Sequence, residues 1–201
     1  MRTKNLHTLW ALLLLPLLFA GCEEEEEAYV QQQQRMLSYL TTTHTPRLVA
    51  AEDLEEESQL PFYTVPAPGV YRYVVSYYNP DRSNWAEVTP TSKVTLTFRF
   101  YAFNFSNITD RMAPFYTNDP LYEEAFYELG LTPGLWKFEP VTLDLAHDTI
   151  LNGLRLALIG CRSGDEAEAY MTYNEGYGSS YFSVIPRETP VAMFFTIERV
   201  E

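Results

Sequence analysis

Cysteine is nearly absent from this chain of 201 residues, which carries only two. Cys22 ends an apolar N-terminal segment, so Cys161 is the one thiol that remains if that segment is processed. An intrachain disulfide is then impossible, and the domain must be stabilised by its hydrophobic core even in an oxidising compartment. We expect Cys161 to be buried, because it closes an apolar run with helical spacing.

Histidine and basic residues are also scarce. The chain has 3 His, and its 14 Lys and Arg stand against 27 Asp and Glu, for a net charge of −13. No Cys–His group has the spacing of a metal site, and no glycine-rich phosphate loop appears. We therefore predict no metal and no cofactor. The acidic excess repels phosphate, so nucleic acid is not an expected partner.

Residues 1–21 have the pattern of a secretory signal: Arg2 and Lys4, an apolar stretch Leu9–Phe19, then small residues. The stretch is too short for a membrane-spanning helix. Its ending, Ala20-Gly21-Cys22, resembles the signal of bacterial lipoproteins, which implies that Cys22 is acylated and becomes the mature N-terminus. The resemblance implies a lipid anchor and a location at the outer membrane, on its periplasmic or its cell-surface face.

Residues 22–68 are predicted to form an acidic tether, a short helix and a linker. The run Glu23–Glu27 suits a solvated spacer; it also resembles acidic export tags of some Gram-negative surface lipoproteins, although elsewhere an acidic neighbour marks inner-membrane retention. Residues 28–44 have the spacing of an amphipathic helix. Charge and proline between residues 52 and 69 predict a linker.

From Gly69 onward the apolar pattern has a period of two. We predict strands in residues 69–78, 93–103, 141–146, 166–173 and 191–201, with Val94, Leu96, Phe98 and Phe100 on one face. Residues 149–165 instead predict one helix, with an apolar stripe and a stop at Gly164. Its stripe comprises Leu151, Leu154, Leu158 and Ile159. The 15 Tyr and 12 Phe favour a packed β-rich domain. The predicted fold class is α+β, an antiparallel sheet around one short helix with an N-terminal helical tail.

The position of Tyr177 is also unusual: it lies between Gly176 and Gly178 in the stretch YNEGYGSSYFSVIP, residues 173–186. Glycines here indicate a backbone that needs a positive φ or a close approach. One interpretation is a surface hairpin with an exposed aromatic ring. The other is a tyrosine whose side chain is held in a fixed orientation by the backbone.

The order of these elements resembles the C-terminal half of an FKBP-type peptidyl-prolyl cis-trans isomerase. The matching segments are Ile150–Leu154, Gly164, Gly176–Gly178 and Val184–Arg187. Upstream, KVTLTF and PFYTN resemble the strand and the segment that line the family's pocket. The resemblance covers residues 69–201, which we take as one FKBP-like domain.

By this resemblance Tyr177 is the catalytic residue, whose hydroxyl donates a hydrogen bond to a carbonyl of the bound prolyl peptide, and Val184 lies in the adjacent wall. The implied substrate-binding residues are Phe98, Phe115, Tyr116, Val141, Ile150, Leu151, Leu154, Ile185 and Met193. Several depart from the family. Phe98 replaces a tyrosine, Tyr116 an acidic residue, Val141 an aromatic, Leu154 the tryptophan of the pocket floor and Met193 a phenylalanine.

Two functions are consistent with this pattern. The first is a membrane-anchored peptidyl-prolyl isomerase that assists the folding of exported proteins, with proline-containing peptides as partners. The alternative is a catalytically weak FKBP-like module that binds a peptide or protein. The insertion at residues 119–139 either extends or covers the pocket, or packs on itself. Its aromatic residues are Tyr122, Phe126, Tyr127 and Trp136.

Overall fold

The computed structural model describes residues 26–55, 58–109, 111–131, 134, 136–179, 181 and 185–201. The predicted signal segment, Cys22 and Val184 lie outside these residues. Within them, no helix has the length and apolar character needed to cross a bilayer.

Eight strands in the described residues form one sheet. The strands are β1 Val49–Ala50, β2 Phe62–Ala67, β3 Val70–Val74, β4 Lys93–Ala102, β5 Tyr116–Thr117, β6 Val141–Asp144, β7 Glu166–Met171 and β8 Val191–Val200. Their order across the sheet is β1-β2-β3-β7-β8-β4-β5, and β6 also pairs with β4. Among these described strands, only the short β1–β2 pair is parallel.

Helices are few in the described residues. Helix α1 covers residues 26–38 of the described chain and continues as the π turn Tyr39–Thr43. Helix α2 is Glu123–Glu128 and α3 is Asn152–Leu158. The stop predicted at Gly164 is wrong, because α3 ends before Gly160 and the chain then turns into β7.

The inner core lies between α3 and one face of the sheet. Along β4, Val94, Leu96, Phe98 and Phe100 are buried, as their period of two predicts. Helix α3 packs against β2, β3 and β7, and Leu158 is fully buried. The predicted fold class is thereby confirmed as α+β, with an almost entirely antiparallel sheet around one short helix.

The outer face of the sheet is covered by the N-terminal segment. Met36, Tyr39 and Leu40 are buried there against Tyr71 and Tyr170 of the sheet. The predicted helix therefore exists and buries one face. Two apolar residues of the amphipathic pattern predicted in residues 28–44 are instead exposed, namely Val30 and Leu37.

The linker predicted around residues 61–69 is wrong in its middle, which forms strand β2. Pro66 has no N–H for a ladder bond, and the register between β2 and β3 shifts between Thr64 and Ala67. The division of the chain at residue 69 concerns independent folding and stays a prediction.

Two partly buried pairs of basic and acidic side chains connect distant parts of this fold. His44 Nε2 lies 2.7 Å from Glu168 Oε2, and His44 Nδ1 contacts the carbonyl of Pro46. On the inner side, Arg82 donates two hydrogen bonds of 2.8 Å to the carboxylate of Asp165, which is fully buried. The first pair holds the N-terminal segment on the sheet, and the second joins the segment after β3 to the start of β7.

Candidate functional site

Tyr177 lies in a tight loop, residues 172–179, that directly follows strand β7; we call it the Tyr177 loop. Its two glycines have the two roles that the sequence left open. Gly178 has a φ of +72°, a conformation that other residues adopt at a cost. A Cβ on Gly176 would lie 3.2 Å from Val191 Cγ2, so a small residue lets the loop approach β8.

The loop is also tied to the N-terminus of α3. Gly153 donates its N–H to the carbonyl of Glu175 at 3.0 Å, and Asn152 Nδ2 donates to Glu175 Oε2 at 2.6 Å. The segment Ile150–Leu154 is therefore in direct contact with the Tyr177 loop.

The ring of Tyr177 is half-buried against the inner core. It meets Phe115 edge to face, with 5.8 Å between the ring centroids. Burial, together with the nearby Tyr116, raises the pKa of Tyr177 to about 12. The hydroxyl therefore keeps its proton at neutral pH and remains a hydrogen-bond donor.

Strand β4 and its neighbour β5 supply the adjoining aromatic wall. Phe98 and Tyr116 have ring centroids 5.0 Å apart, and Phe100 lies 6.1 Å from Phe115. Asn118 fixes this wall: its Oδ1 accepts from the N–H of Phe98 at 2.7 Å, and its Nδ2 donates to the carbonyls of Leu96 and Glu139 at 3.0 Å. Asn118 was not identified from the sequence, because nothing in its position indicates that it joins β4 to the segment that precedes β6.

The remaining predicted residues surround α3. Leu154 and Met193 are buried in the inner core. Partly buried residues of the site pack against the same core: Phe115, Val141, Ile150, Leu151 and Tyr177. Ile185 is buried, with 1% of its surface exposed. The structure thus gathers residues from β4, β6, β8 and α3 around one apolar cluster, and their roles toward a substrate stay predictions.

A cleft of about 410 Å³ opens beside this cluster, between β4, β6 and the insertion. It contains three predicted site residues, Phe98, Tyr116 and Val141, together with Trp136. The whole lining is Phe98, Tyr116, Asn118, Trp136, Lys137, Glu139, Pro140, Val141 and Thr142. Lys137 and Glu139 form an exposed ion pair of 3.2 Å at this cleft.

The aromatic residues of the insertion differ in their roles: one of them lines the cleft, and two others pack within the insertion itself. Trp136 packs edge to face on Tyr116 at 4.7 Å and extends the cleft. Phe126 and Tyr127 instead pack on Phe138 within the insertion. Tyr122 hydrogen-bonds through its hydroxyl to Tyr101, with 3.3 Å between the oxygens.

Neither a reactive thiol nor a group of metal ligands is found in the part of the chain that the structure describes. Cys161 is buried, as predicted, and burial raises the pKa of its thiol to about 11, so that it stays protonated. Among the described residues, no three His, Cys, Asp or Glu side chains meet in a group that could hold a metal.

Comparison with known proteins identifies no matching family model and no matching curated protein. Among solved structures, the chain is similar to the N-terminal domain of FKBP42 from Arabidopsis thaliana. The two are 14% identical with a TM-score of 0.47, and the match covers 74% of this chain and 96% of that one.

Proposed function

We propose that this protein binds proline-containing peptides against the Tyr177 cluster and catalyses cis-trans isomerisation of the peptide bond that precedes proline. One observation carries the proposal: a protonated, half-buried tyrosine is held by a tight loop at the edge of an apolar aromatic cluster. The motif order in residues 149–201 supports the same function.

The reaction needs little besides such a surface. Rotation about a peptide bond must overcome about 18–20 kcal/mol, because amide resonance is lost. The planar amide is more polar than the twisted one, so an apolar surface favours the twisted state. The Tyr177 hydroxyl donates to a peptide carbonyl, and a donor held in place stabilises the transition state without reorganisation. No nucleophile or general base takes part.

A second candidate function is a peptide-binding module with little catalysis. The cleft favours it, because Phe98, Tyr116 and Trp136 line the cleft whereas Tyr177 is not among its lining residues. Leu154 stands where a tryptophan is expected, and the loss of the tryptophan ring removes about 1–2 kcal/mol of binding free energy, at ~25 cal/mol per Å² of apolar contact. Each such change is worth about one tenfold step in affinity.

Isomerisation of a proline tetrapeptide tests the proposal at matched concentrations of folded protein. Tyr177→Phe keeps the ring and loses the donor, so its activity should fall by no more than about tenfold, the value of one neutral hydrogen bond. Tyr177→Ala should lose more. Tyr181→Phe removes a hydroxyl from a residue that is 70% exposed and serves as the matched control, with unchanged activity.

Leu154→Trp separates the two candidate functions. If the larger ring completes the pocket floor, activity should rise, provided that overpacking costs no more than about 1–3 kcal/mol of stability. A wild-type protein no faster than the uncatalysed reaction, with a folded Leu154→Trp that gains nothing, excludes the isomerase. Titration with the same peptide then decides for or against the binding module.

We also propose that Cys22 carries the lipid that holds the protein at the outer membrane, where exported proteins would be its clients. The lipoprotein-like ending of the leader supports this. Stable anchoring takes more than one acyl chain, which a lipoprotein N-terminus supplies. Labelled palmitate should be incorporated into the wild type and not into Cys22→Ser; persistent labelling of the variant contradicts the proposal.

A further inference from the structure

A closed ring of hydrogen bonds joins helix α1 to the Tyr177 loop. Gln32 Oε1 accepts from the N–H of Tyr173 at 3.1 Å, and Tyr173 O accepts from the N–H of Gly178 at 2.8 Å. Gly178 O accepts from the N–H of Glu188 at 3.2 Å, and Glu188 O accepts from Gln32 Nε2 at 2.7 Å. Each of the four residues thus donates one hydrogen bond and accepts one within the closed ring. One of the four, Gly178, directly follows Tyr177 in the sequence.

Backbone conformation within the ring shows that it holds the chain firmly. Glu188 has a φ of +55°, which costs a non-glycine residue about 1 kcal/mol or more and persists only where the surroundings impose it. Glu188 is bonded through both its N–H and its carbonyl, to Gly178 and to Gln32.

A second contact brings α1 against Gly69, the residue whose carbonyl pairs with the first residue of the same loop. A Cβ on Gly69 would lie 3.0 Å from Tyr29 Oη and 2.5 Å from Thr172 Oγ1, so Tyr29 of α1 lies at the position where β3 meets the start of the loop. The N–H of Thr172 donates to Gly69 O at 2.9 Å. Helix α1 therefore contacts the loop directly at Tyr173, contacts Glu188 beyond it, and reaches Gly69, the residue that is hydrogen-bonded to Thr172.

We propose that Gln32 is a positioning residue for the Tyr177 loop, so that helix α1 sets the place of the Tyr177 hydroxyl. Its catalytic consequence rests on the proposed function. Only a side chain with both an amide oxygen and an amide nitrogen closes the ring, because one end accepts and the other donates. The segment that leads to the predicted lipid anchor would then be part of the active-site support.

Three variants of the full chain separate the two bonds of Gln32 from its packing. Gln32→Met has similar length and loses both bonds. Gln32→Glu, ionised at pH 7, keeps the acceptor for Tyr173 and loses the donor to Glu188. Gln34→Met makes the same replacement at an exposed position of the same helix and is the control.

Amide hydrogen exchange measures how firmly the loop is held, independently of catalytic activity. In Gln32→Met, the amides of Tyr173, Gly178 and Glu188 should exchange about tenfold faster, the effect of one lost hydrogen bond, while amides of β4 and β8 keep their protection. In Gln32→Glu, Tyr173 should stay protected and Glu188 should exchange faster. Gln34→Met should match the wild type.

Isomerase kinetics complete the test. We expect kcat to fall about three- to tenfold in Gln32→Met with little change in KM, since the Tyr177 donor acts in the transition state. Unchanged exchange in the loop overturns the positioning role, as does faster exchange in an active enzyme with unchanged kcat. An inactive wild type with the expected exchange pattern removes the proposed reaction and supports the positioning of the loop by Gln32.

Discussion

Trp136 and Thr117 are joined by a hydrogen bond of 2.7 Å from the indole Nε1 to the backbone carbonyl. Thr117 belongs to the short strand β5, so this bond attaches the insertion to the edge of the sheet. It also orients the indole ring against Tyr116 and thereby forms one wall of the cleft. A single side chain of the insertion thus both contacts the sheet edge and lines the cleft.

Replacement of Trp136 should weaken peptide binding in two steps. Trp136→Phe keeps an aromatic ring beside Tyr116 and loses the donor to Thr117, at about 0.5–1.5 kcal/mol. Trp136→Ala also removes the wall, so we expect the affinity for a proline peptide to fall by about tenfold or more. Trp85→Phe, outside the cleft, is the control in a fluorescence or calorimetric titration. Equal affinity in all four proteins would contradict a role of the cleft in binding.

Stability should depend on pH through His44. Burial lowers the pKa of His44, but its hydrogen bonds to Glu168 and to the Pro46 carbonyl outweigh burial, and the net pKa is raised. Both ring nitrogens face acceptors, so only the protonated ring donates to both. The stabilisation is therefore complete below the unfolded pKa of about 6.5 and is lost as pH rises through the folded pKa.

Urea denaturation of the wild type and His44→Gln between about pH 5 and pH 9 measures this dependence. The free energy of unfolding should decrease with pH in the wild type and decrease less in the variant. His147→Gln removes an exposed histidine and should reproduce the wild-type profile. Parallel profiles for the wild type and His44→Gln would show that the pair with Glu168 does not titrate in this range.

Asp165 should be among the residues most sensitive to substitution. Its fully buried carboxylate accepts from Arg82, from Ser76 Oγ at 3.0 Å and from the N–H of Arg162 at 2.7 Å. Asp165→Asn leaves the Arg82 guanidinium without its counter-charge, which typically costs about 3–5 kcal/mol. Glu139→Gln, in the exposed pair with Lys137, should change stability by less than about 1 kcal/mol. Comparable denaturation midpoints for the two variants would refute this ranking.

A chain that begins at Val65 tests the predicted boundary. The inner core lies within residues 69–201, so we predict that this fragment unfolds cooperatively in a thermal scan. It lacks Met36, Tyr39 and Leu40, each of which contributes about 1.5–3 kcal/mol when buried, so its midpoint should be well below that of the full chain. A fragment without a cooperative transition would place the N-terminal segment inside the folding unit.

The strands of the inner core were predictable because their pattern is local. In β4, alternate residues lie in the inner core, and a period of two in the sequence is enough to identify Phe98 and Phe100 as buried. Strand β2 was not predictable in the same way. Its Pro66 suggests a linker, but proline is tolerated where the ladder is irregular, as it is here.

The environment of Tyr177 was only partly predictable. The flanking glycines indicate a constrained backbone, and the structure shows one with a positive φ and one in close approach. Trp136 was named from the sequence as one of the aromatic residues that either extend or cover the pocket or pack on the insertion, and the structure places it at the cleft. The contact of Gln32 with the loop depends on tertiary structure, and Gln32 is not one of the apolar residues of its helix. The partners of Gln32 lie 141 and 156 residues away in the sequence, beyond the reach of local reasoning.

The same separations bear on how the chain folds. Tyr39 meets Tyr170 across 131 residues, and Gln32 meets Glu188 across 156. A segment that leaves the ribosome early can therefore make these contacts only after the last strands have been synthesised, and contacts of such long range form slowly. Until then the tyrosines of the outer face are not covered by their partners, so this face of the nascent chain stays exposed to solvent until synthesis is nearly complete.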